Sequence, residues 1–356
     1  MIETIKSRKM SLEQKVESSL RVLKLLLKFD GYDIWEVGFS GGKDSLLLLH
    51  LITTFLKECN KKPLKKPKHI SVVYVDTLVE IPILREPALK VLEDVAIYSY
   101  NELNGVIQPK ILKPFVGQDF FSMMIERGYP PPHYRFRWCV PRLKINPFMK
   151  YLKEFDGKIV MISGERLDES TSRSRIMRNR RQTCGQLGAL SRDDKGNIIA
   201  TPLKDWTKDD VFAFLSTFNQ PWNGKPYSYV LEIYGIDELR AKCACGLSPN
   251  VRYGCWVCTV IKKDKALEHL VMKGYRWAEC LLKAKEDIRK IGLEERFREI
   301  KTNGKFGKLN QEGRAAVVGI LINVLLEAKE GLYGYLKYPL LRKKLESWIE
   351  RYRETF

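Results

Sequence analysis

The sequence predicts an α/β protein: a doubly wound parallel sheet, followed by a helical C-terminal region that carries a cysteine cluster. Three observations predict it. Short β-branched runs alternate with helical stretches over roughly residues 30–220. One of the first runs leads through a Gly-Gly turn straight into a strongly apolar helix. From Tyr227 onward strand signals vanish, and four of the eight cysteines crowd between positions 243 and 258.

The elements follow in order. Ser11-Leu12-Glu13-Gln14 reads as a capping box, and Leu12, Val16, Leu20, Leu23 and Leu27 keep a helical period until Gly31 ends it. Residues 34–39 form the first strand, and a helix from Ser45 runs to about Glu58. A Lys- and Pro-rich connection, 61–68, leads to a second strand at 70–75. A helix is expected at 83–98, a third strand at 110–115 and a short helix at 120–127. Residues 130–139 form an aromatic and basic loop, followed by a helix at 145–155 and a fourth strand at 158–163. The stretch 171–181 is rich in arginine (Arg173, Arg175, Arg178, Arg180, Arg181), and 191–197 is a polar turn. Thr207 is the expected N-cap of a helix at 209–218, and helices are expected at 266–291, 311–326 and 339–352. The domain expectation is an N-terminal helix (1–29), a nucleotide-binding α/β domain (30–225) and a helical region with the cysteine cluster (226–356).

Lys and Arg number 62 against 43 Asp and Glu, a formal net charge of +19. That excess points to a polyanionic partner, with nucleic acid the commonest. No apolar run is long enough for a membrane span, and the first ten residues lack the apolar core of a secretory leader. A cytoplasmic protein without a membrane partner is expected, so its cysteines are not read as disulfides.

Chemistry begins at Ser40-Gly41-Gly42-Lys43-Asp44-Ser45. Glycines let the backbone approach a phosphate closely, the first amides of the following helix point at it, and Lys43 adds a full charge. Ser40 and Ser45 add hydroxyls. The spacing is neither that of a Walker loop nor that of a dinucleotide fingerprint. These six residues match in full the pyrophosphate loop of the ATP pyrophosphatases, and the chain resembles that superfamily. The resemblance implies an adenine nucleotide α-hydrolase-like fold of the HUP type and cleavage of ATP between its α- and β-phosphates, with Mg²⁺. Asp76-Thr77 with Glu80 and Pro82 resembles the Asp-Thr-Gly segment of the phosphoadenylyl-sulfate reductase-like branch. Gly164-x-Arg166-x-x-Glu169-Ser170 and Pro202-Leu203-x-x-Trp206-Thr207-x-x-Asp210-Val211 match two further segments of that branch. Candidate nucleotide-binding residues are therefore Ser40, Gly41, Gly42, Lys43, Asp44, Ser45, Asp76, Gly164 and Arg166, with Lys43, Asp44 and Arg166 as catalytic candidates. Asp76 is a candidate to accept from adenosine or to hold Mg²⁺, Arg166 to clamp a phosphate or sulfate. Trp206 reads as packing.

Cys245-x9-Cys255-x2-Cys258, together with Cys139 of Arg137-Trp138-Cys139-Val140-Pro141-Arg142-Leu143-Lys144, can supply four thiolates for a [4Fe–4S] cluster or a structural Zn²⁺. Cys243 stands too close to Cys245 to share a tetrahedral site with it easily. Cys59, Cys184 and Cys280 lack a Cys-x-x-Cys context and read as buried thiols, with sulfur carriage as the alternative for Cys184, which follows the arginine-rich stretch. Over about residues 10–270 the pairing of segments resembles the DndC-type sulfurtransferase of DNA phosphorothioation, which implies the cluster. The function expected from this resemblance is ATP-dependent replacement of a nucleic-acid oxygen by sulfur, with DNA favoured over tRNA. A cysteine-desulfurase-type sulfur donor and other modification-system subunits are the implied partners. The alternatives are a tRNA thiolase or phosphoadenylyl-sulfate reductase-like enzyme, and a non-catalytic ATP-binding assembly subunit with structural zinc.

Overall fold

The computed structural model describes residues 10–61, 66–168, 189–236 and 253–353. Glu169, Ser170, the arginines of 171–181, Cys184, Cys243 and Cys245, all named above, therefore lie outside the described residues. The chain divides into two compact units that interleave along the sequence. Unit one takes 1–74, 87–110 and 156–250; unit two takes 75–86, 111–155 and 251–356.

Unit one opens with α1 (Leu12–Leu26), whose Ser11 and Gln14 form the expected reciprocal capping box. Strand β1 (Ile34–Phe39) and α2 (Lys43–Lys61) follow. Helix α2 is apolar all round its first turns, and Leu46, Leu47, Leu48, Leu49, Leu51 and Ile52 have no exposed surface. A helix of that composition is stable only when covered on every side. The sheet continues through β2 (His69–Val75), α3 (Pro82–Glu102) and β3 (Ile107–Leu112). The third strand lies three residues earlier than the sequence pattern places it; its central Pro109 obscures the pattern, and β3 is the first strand of the sheet order, an edge, where proline is tolerated. Further on come β4 (Ile159–Ile162), β5 (Leu190–Arg192) and β6 (Ile198–Ala200).

The sheet order is β3-β2-β1-β4-β6-β5. Strand β1 pairs in parallel with both β2 and β4, and β4 pairs in parallel with β6. Strand β5 is antiparallel to β6, so the polar turn expected at 191–197 closes a hairpin; Asp193 holds that turn by accepting from the amides of Lys195 and Asn197. The order runs outward from β1 in one direction through β2 and β3, then restarts at β4 on its other side. The carboxyl ends of β1 and β4 therefore form a topological switch point, the place where open parallel sheets bind ligands.

Unit two holds α4 (Phe120–Ile125), a π-helical turn (Pro141–Ile145) and α5 (Asn146–Leu152) from the middle of the chain. The C-terminal part adds two helices where the sequence pattern suggests one over 266–291. They are separated at Gly274, whose φ of +85° ends the first, Lys265–Met272, before the second, Arg276–Leu293, begins. A two-stranded ribbon, Arg298–Ile300 with Phe306–Leu309, corrects the expectation that no strand follows Tyr227. Its strands are three and four residues long, too short to show alternation. Helices Gln311–Glu327 and Pro339–Tyr352 complete the unit. Trp256, Trp348, Tyr335 and Phe121 are fully buried at its core. Among the described residues, no helix is long and apolar enough to cross a membrane.

Candidate functional site

Residues 40–45 join the end of β1 to the start of α2, at the switch point. Gly41 has a φ of +73°, a conformation that glycine adopts without strain. Gly42 has ordinary backbone, and a Cβ there would meet Ser40 Oγ at 3.5 Å and Tyr234 Oη at 3.7 Å, both normal contacts. The backbone thus favours glycine at 41 but not at 42. Ser45 Oγ donates to the Gly42 carbonyl at 2.9 Å and accepts from the Ser40 amide at 3.2 Å, which closes the turn on itself. The first-turn amides of α2 have no intrahelical acceptor, as at any helix start, so the loop ends in an electropositive rim.

Lys43 Nζ donates to Asp44 Oδ2 at 2.6 Å and stands 6.0 Å from the Phe212 ring centroid and 5.7 Å from that of Tyr234. The other Asp44 oxygen accepts from Arg166 Nε at 2.7 Å. Arg166 is only 2% exposed and also donates, at 3.4 Å each, to Asp168 Oδ2 and the Trp206 carbonyl. The loop after β1 is thereby tied to the loop after β4. Gly164 makes that approach possible: a Cβ on it would come within 3.2 Å of the Asp44 carbonyl oxygen. Every candidate of this set in unit one is brought together, with Arg166 placed as a strut under Asp44. Trp206 is buried and donates to Ser19 Oγ at 2.9 Å, a packing role.

Asp76 follows β2 and belongs to unit two. It has no exposed surface, and its carboxylate accepts from Arg85 Nε at 3.1 and 3.2 Å, from Arg85 Nη2 at 2.6 Å and from the Leu78 amide at 3.0 Å. Leu78, third residue of the segment that resembles Asp-Thr-Gly, has a φ of +70°. It holds the left-handed conformation that glycine takes freely, at a cost on the order of 1 kcal/mol. Asp44 and Asp76 both spend their charge on ion pairs, so as placed they do not fit a protein-held Mg²⁺.

The described candidate metal-ligating thiols of unit two lie on two segments. Cys139 stands two residues before the π-helical turn, a local distortion common at functional sites. Cys255 and Cys258 share one turn, with the Cys258 amide donating to the Cys255 carbonyl at 3.2 Å. That turn is laced to the segment after Asp76: the Ile81 amide donates to Gly254 and the Trp256 amide to Val79. Thr77 Oγ1 lies 3.4 Å from Cys255 Sγ. Burial pushes the Cys255 thiol up to about 11, partly offset by the Lys144 ammonium. Burial also raises Cys139, with the neighbouring Cys258 adding to it. The field of Cys255 leads Glu80 and the other two thiols in raising Lys144. The three described thiols and Lys144 thus lie within one another's fields. Among the described residues, no three His, Cys, Asp or Glu side chains stand close enough to hold a metal ion. In chemistry the set fits a thiophilic centre, soft sulfurs with a cation beside them to compensate a thiolate-bound group. Cys59 is buried and Cys280 partly buried.

Arg85, Thr77, Phe212, Tyr234 and Lys144 belong to these surroundings, and the sequence reading singled out none of them as a site residue. Lys144 stands inside the quoted Cys139 segment, five residues on, one turn and a π-bulge away. Thr77 likewise stands inside the quoted Asp76-Thr77 segment, whereas Arg85, Phe212 and Tyr234 carry no local signal, because tertiary packing alone sets them beside their partners.

A parallel sheet with a Ser-Gly-Gly-Lys-Asp-Ser loop at its switch point defines the PP-loop, adenine nucleotide α-hydrolase class of α/β proteins. The sequence profile of the phosphoadenosine phosphosulfate reductase domain matches residues 35–260, and the chain belongs to that family. Two uncharacterised proteins of Methanocaldococcus jannaschii are similar to it. One is 31% identical over 188 residues, which are 52% of this chain and 32% of that protein. The other is 26% identical over 303 residues, 80% of this chain and 61% of that protein. The chain thus spans about a third and about three fifths of the length of the curated relatives it matches. Among solved structures, a phosphoadenylyl-sulfate reductase from Candida auris in complex with phosphate is similar at 16% identity and a TM-score of 0.38, over 64% of this chain and 94% of that one. The U34-tRNA thiolase of Methanococcus maripaludis with its [4Fe–4S] cluster is similar at 15% identity and a TM-score of 0.33, over 83% and 84%. Likeness at that level bears on neither activity nor substrate.

Proposed function

We propose that this chain is an ATP-dependent sulfurtransferase acting on a nucleic-acid oxygen, with the DNA backbone phosphate as the favoured acceptor. The observation that carries the reading is the 40–45 loop at the switch point of a chain of the phosphoadenosine phosphosulfate reductase domain family. The triphosphate rests on the Gly41–Gly42 backbone and the first amides of α2. Gly42, with no steric need for glycine, leaves the approach to the phosphates open. An acceptor oxygen attacks the α-phosphorus, the bond from that phosphorus to the bridging oxygen breaks, pyrophosphate departs, and the adenylyl group is left on the acceptor. Lys43 meets the charge that builds on the departing pyrophosphate, in a rim already polarised by the helix start. Arg166 fixes Asp44, and Asp44 fixes the Lys43 ammonium, so the cation is aimed before the nucleotide arrives. The outer sulfur of a persulfide on a cysteine-desulfurase-type donor, released at the sulfide level by a two-electron thiol reductant, then attacks the activated acceptor and displaces AMP.

Cys139, Cys255 and Cys258, with Cys245 as fourth, are the residues that would hold a [4Fe–4S] cluster. Bound there, it would supply a one-electron redox centre and iron with an affinity for sulfide. Lys144 offsets the negative charge of such a tetrathiolate site, and Thr77 holds Cys255 in place. Other subunits of a modification system are partners consistent with this reading.

The test is anaerobic purification with iron, sulfide and zinc analysis, alongside pyrophosphate release from ATP. Brown protein with stoichiometric iron and sulfide, and pyrophosphate released on addition of DNA, is expected. Cys255→Ser should lose the metal while keeping ATP binding within about threefold. Colourless protein with one zinc and no pyrophosphate release would instead make the chain an ATP-binding assembly subunit.

A further inference from the structure

We propose that the tip of the 129–137 loop in unit two is a docking surface for unpaired bases of a single-stranded nucleic acid, with Tyr134 as the stacking platform. The inference rests on the reading of nucleic acid as the acceptor and names the surface that would grip it.

His133, Tyr134, Arg135, Phe136 and Arg137 are five consecutive exposed residues between the buried Pro131–Pro132 pair and the buried Trp138. Tyr134 is 80% exposed. Such exposure in a floppy loop would mean little, but this loop is built. The His133 amide donates to the Phe136 carbonyl at 3.3 Å and the Phe136 amide returns to His133 at 2.9 Å, so Tyr134 and Arg135 form the two-residue tip of a hairpin. Its base is pinned on both sides. Thr259 Oγ1 donates to the Pro132 carbonyl at 2.6 Å, and Trp138 Nε1 to the Pro130 carbonyl at 2.8 Å. Phe136 stacks on Tyr129 at 6.0 Å with an interplanar angle of 15°. The Arg137 guanidinium sits 5.5 Å from the Tyr134 ring centroid.

A tyrosine held at a rigid tip has little conformational freedom left to lose when a flat partner stacks on it. Residues 129–138 contain no acidic side chain and two arginines, in a chain of net charge +19. The partner is therefore an anion with flat, apolar faces. In a duplex those faces are covered by neighbouring pairs, whereas unpaired bases offer them. An acidic polypeptide would engage the arginines and leave the tyrosine idle.

The experiment is fluorescence anisotropy of the full chain with labelled oligothymidylate, a matched duplex and polyglutamate, each across a salt series. Wild type should prefer the single strand. Tyr134→Ala should weaken single-strand binding about 5- to 100-fold while Tyr134→Phe keeps it, with unchanged thermal melting for both. Arg135→Gln with Arg137→Gln should lower the slope of log affinity against log salt by roughly 1.4. Equal binding of the single strand by wild type and Tyr134→Ala overturns the surface and leaves the acceptor class standing. An equal loss on duplex, or polyglutamate binding as tight as oligothymidylate, overturns base stacking. Failure of the wild type to bind any oligonucleotide overturns the acceptor class as well.

Discussion

Gly41 and Gly42 are neighbours with different reasons to be glycine. Gly41 carries a positive φ and Gly42 does not. Gly41→Ala should therefore lower stability by about 1 kcal/mol or more through backbone strain. Gly42→Ala should melt within a degree or two of wild type, yet lose most ATP-dependent pyrophosphate release, because its methyl group would stand where a phosphate must come close. Melting curves and a pyrophosphate assay on the two variants separate fold from ligand. A second residue makes a pH claim. Glu36 lies on the central strand, 2% exposed; Ser71 Oγ donates to its Oε1 at 2.9 Å, and its Oε2 has no partner among the described residues. Burial raises its carboxyl to about 7. The folded state thus holds a proton that the unfolded chain releases near 4.5, and the stability linked to that proton is lost as pH rises through about 7. Urea unfolding should show wild type weaker at pH 8 than at pH 5, and Glu36→Gln should remove on the order of 3 kcal/mol of that fall.

At the scale of elements, local chemistry decides what a sequence discloses. The caps at Ser11 and Thr207 were legible because each side chain acts within one turn of its own helix: Ser11 forms the box read with Gln14, and Thr207 forms the expected N-cap, to which Asp210 adds a box that the pattern did not disclose. Thr207→Ala should cost about 1 kcal/mol, measured by melting, as the Asp210 amide loses its acceptor. The strand–turn–helix around residues 40–45 was legible for the same reason. Short elements were not: the ribbon at 298–309 has too few residues for a period, and Gly274 splits a helix whose apolar pattern runs on across the break. Arg166 shows the remaining limit. Its sequence context marks it as important but not that its guanidinium is spent on Asp44, a partner 122 positions away. The same holds for Arg85 beneath Asp76, which only packing brings there.

For the whole molecule, the formal charge of +19 favours association with polyanions. Association with any polyanion should weaken steeply with added salt, and a titration of oligonucleotide affinity between low and physiological ionic strength measures how many contacts are ionic. The fold class was readable because a parallel sheet needs a helix between strands, a rhythm that spans most of the chain. The division into units was hidden, because nothing in composition marks where the backbone leaves one and enters the other. It does so at 74/75, 86/87, 110/111, 155/156 and 250/251.

That weaving has a consequence for biosynthesis. Thr77, Cys139, Lys144, Cys255 and Cys258 reach the ribosomal exit in three instalments, with stretches of the other unit emerging between them. No C-terminal fragment starting after the last crossing contains the full sulfur pocket, and no nascent chain shorter than residue 258 can assemble it. On the proposed reading, a metal held by these thiols could load only after translation has passed that point, so a chain truncated before residue 258 should keep the phosphate loop and bind neither iron nor zinc at this site.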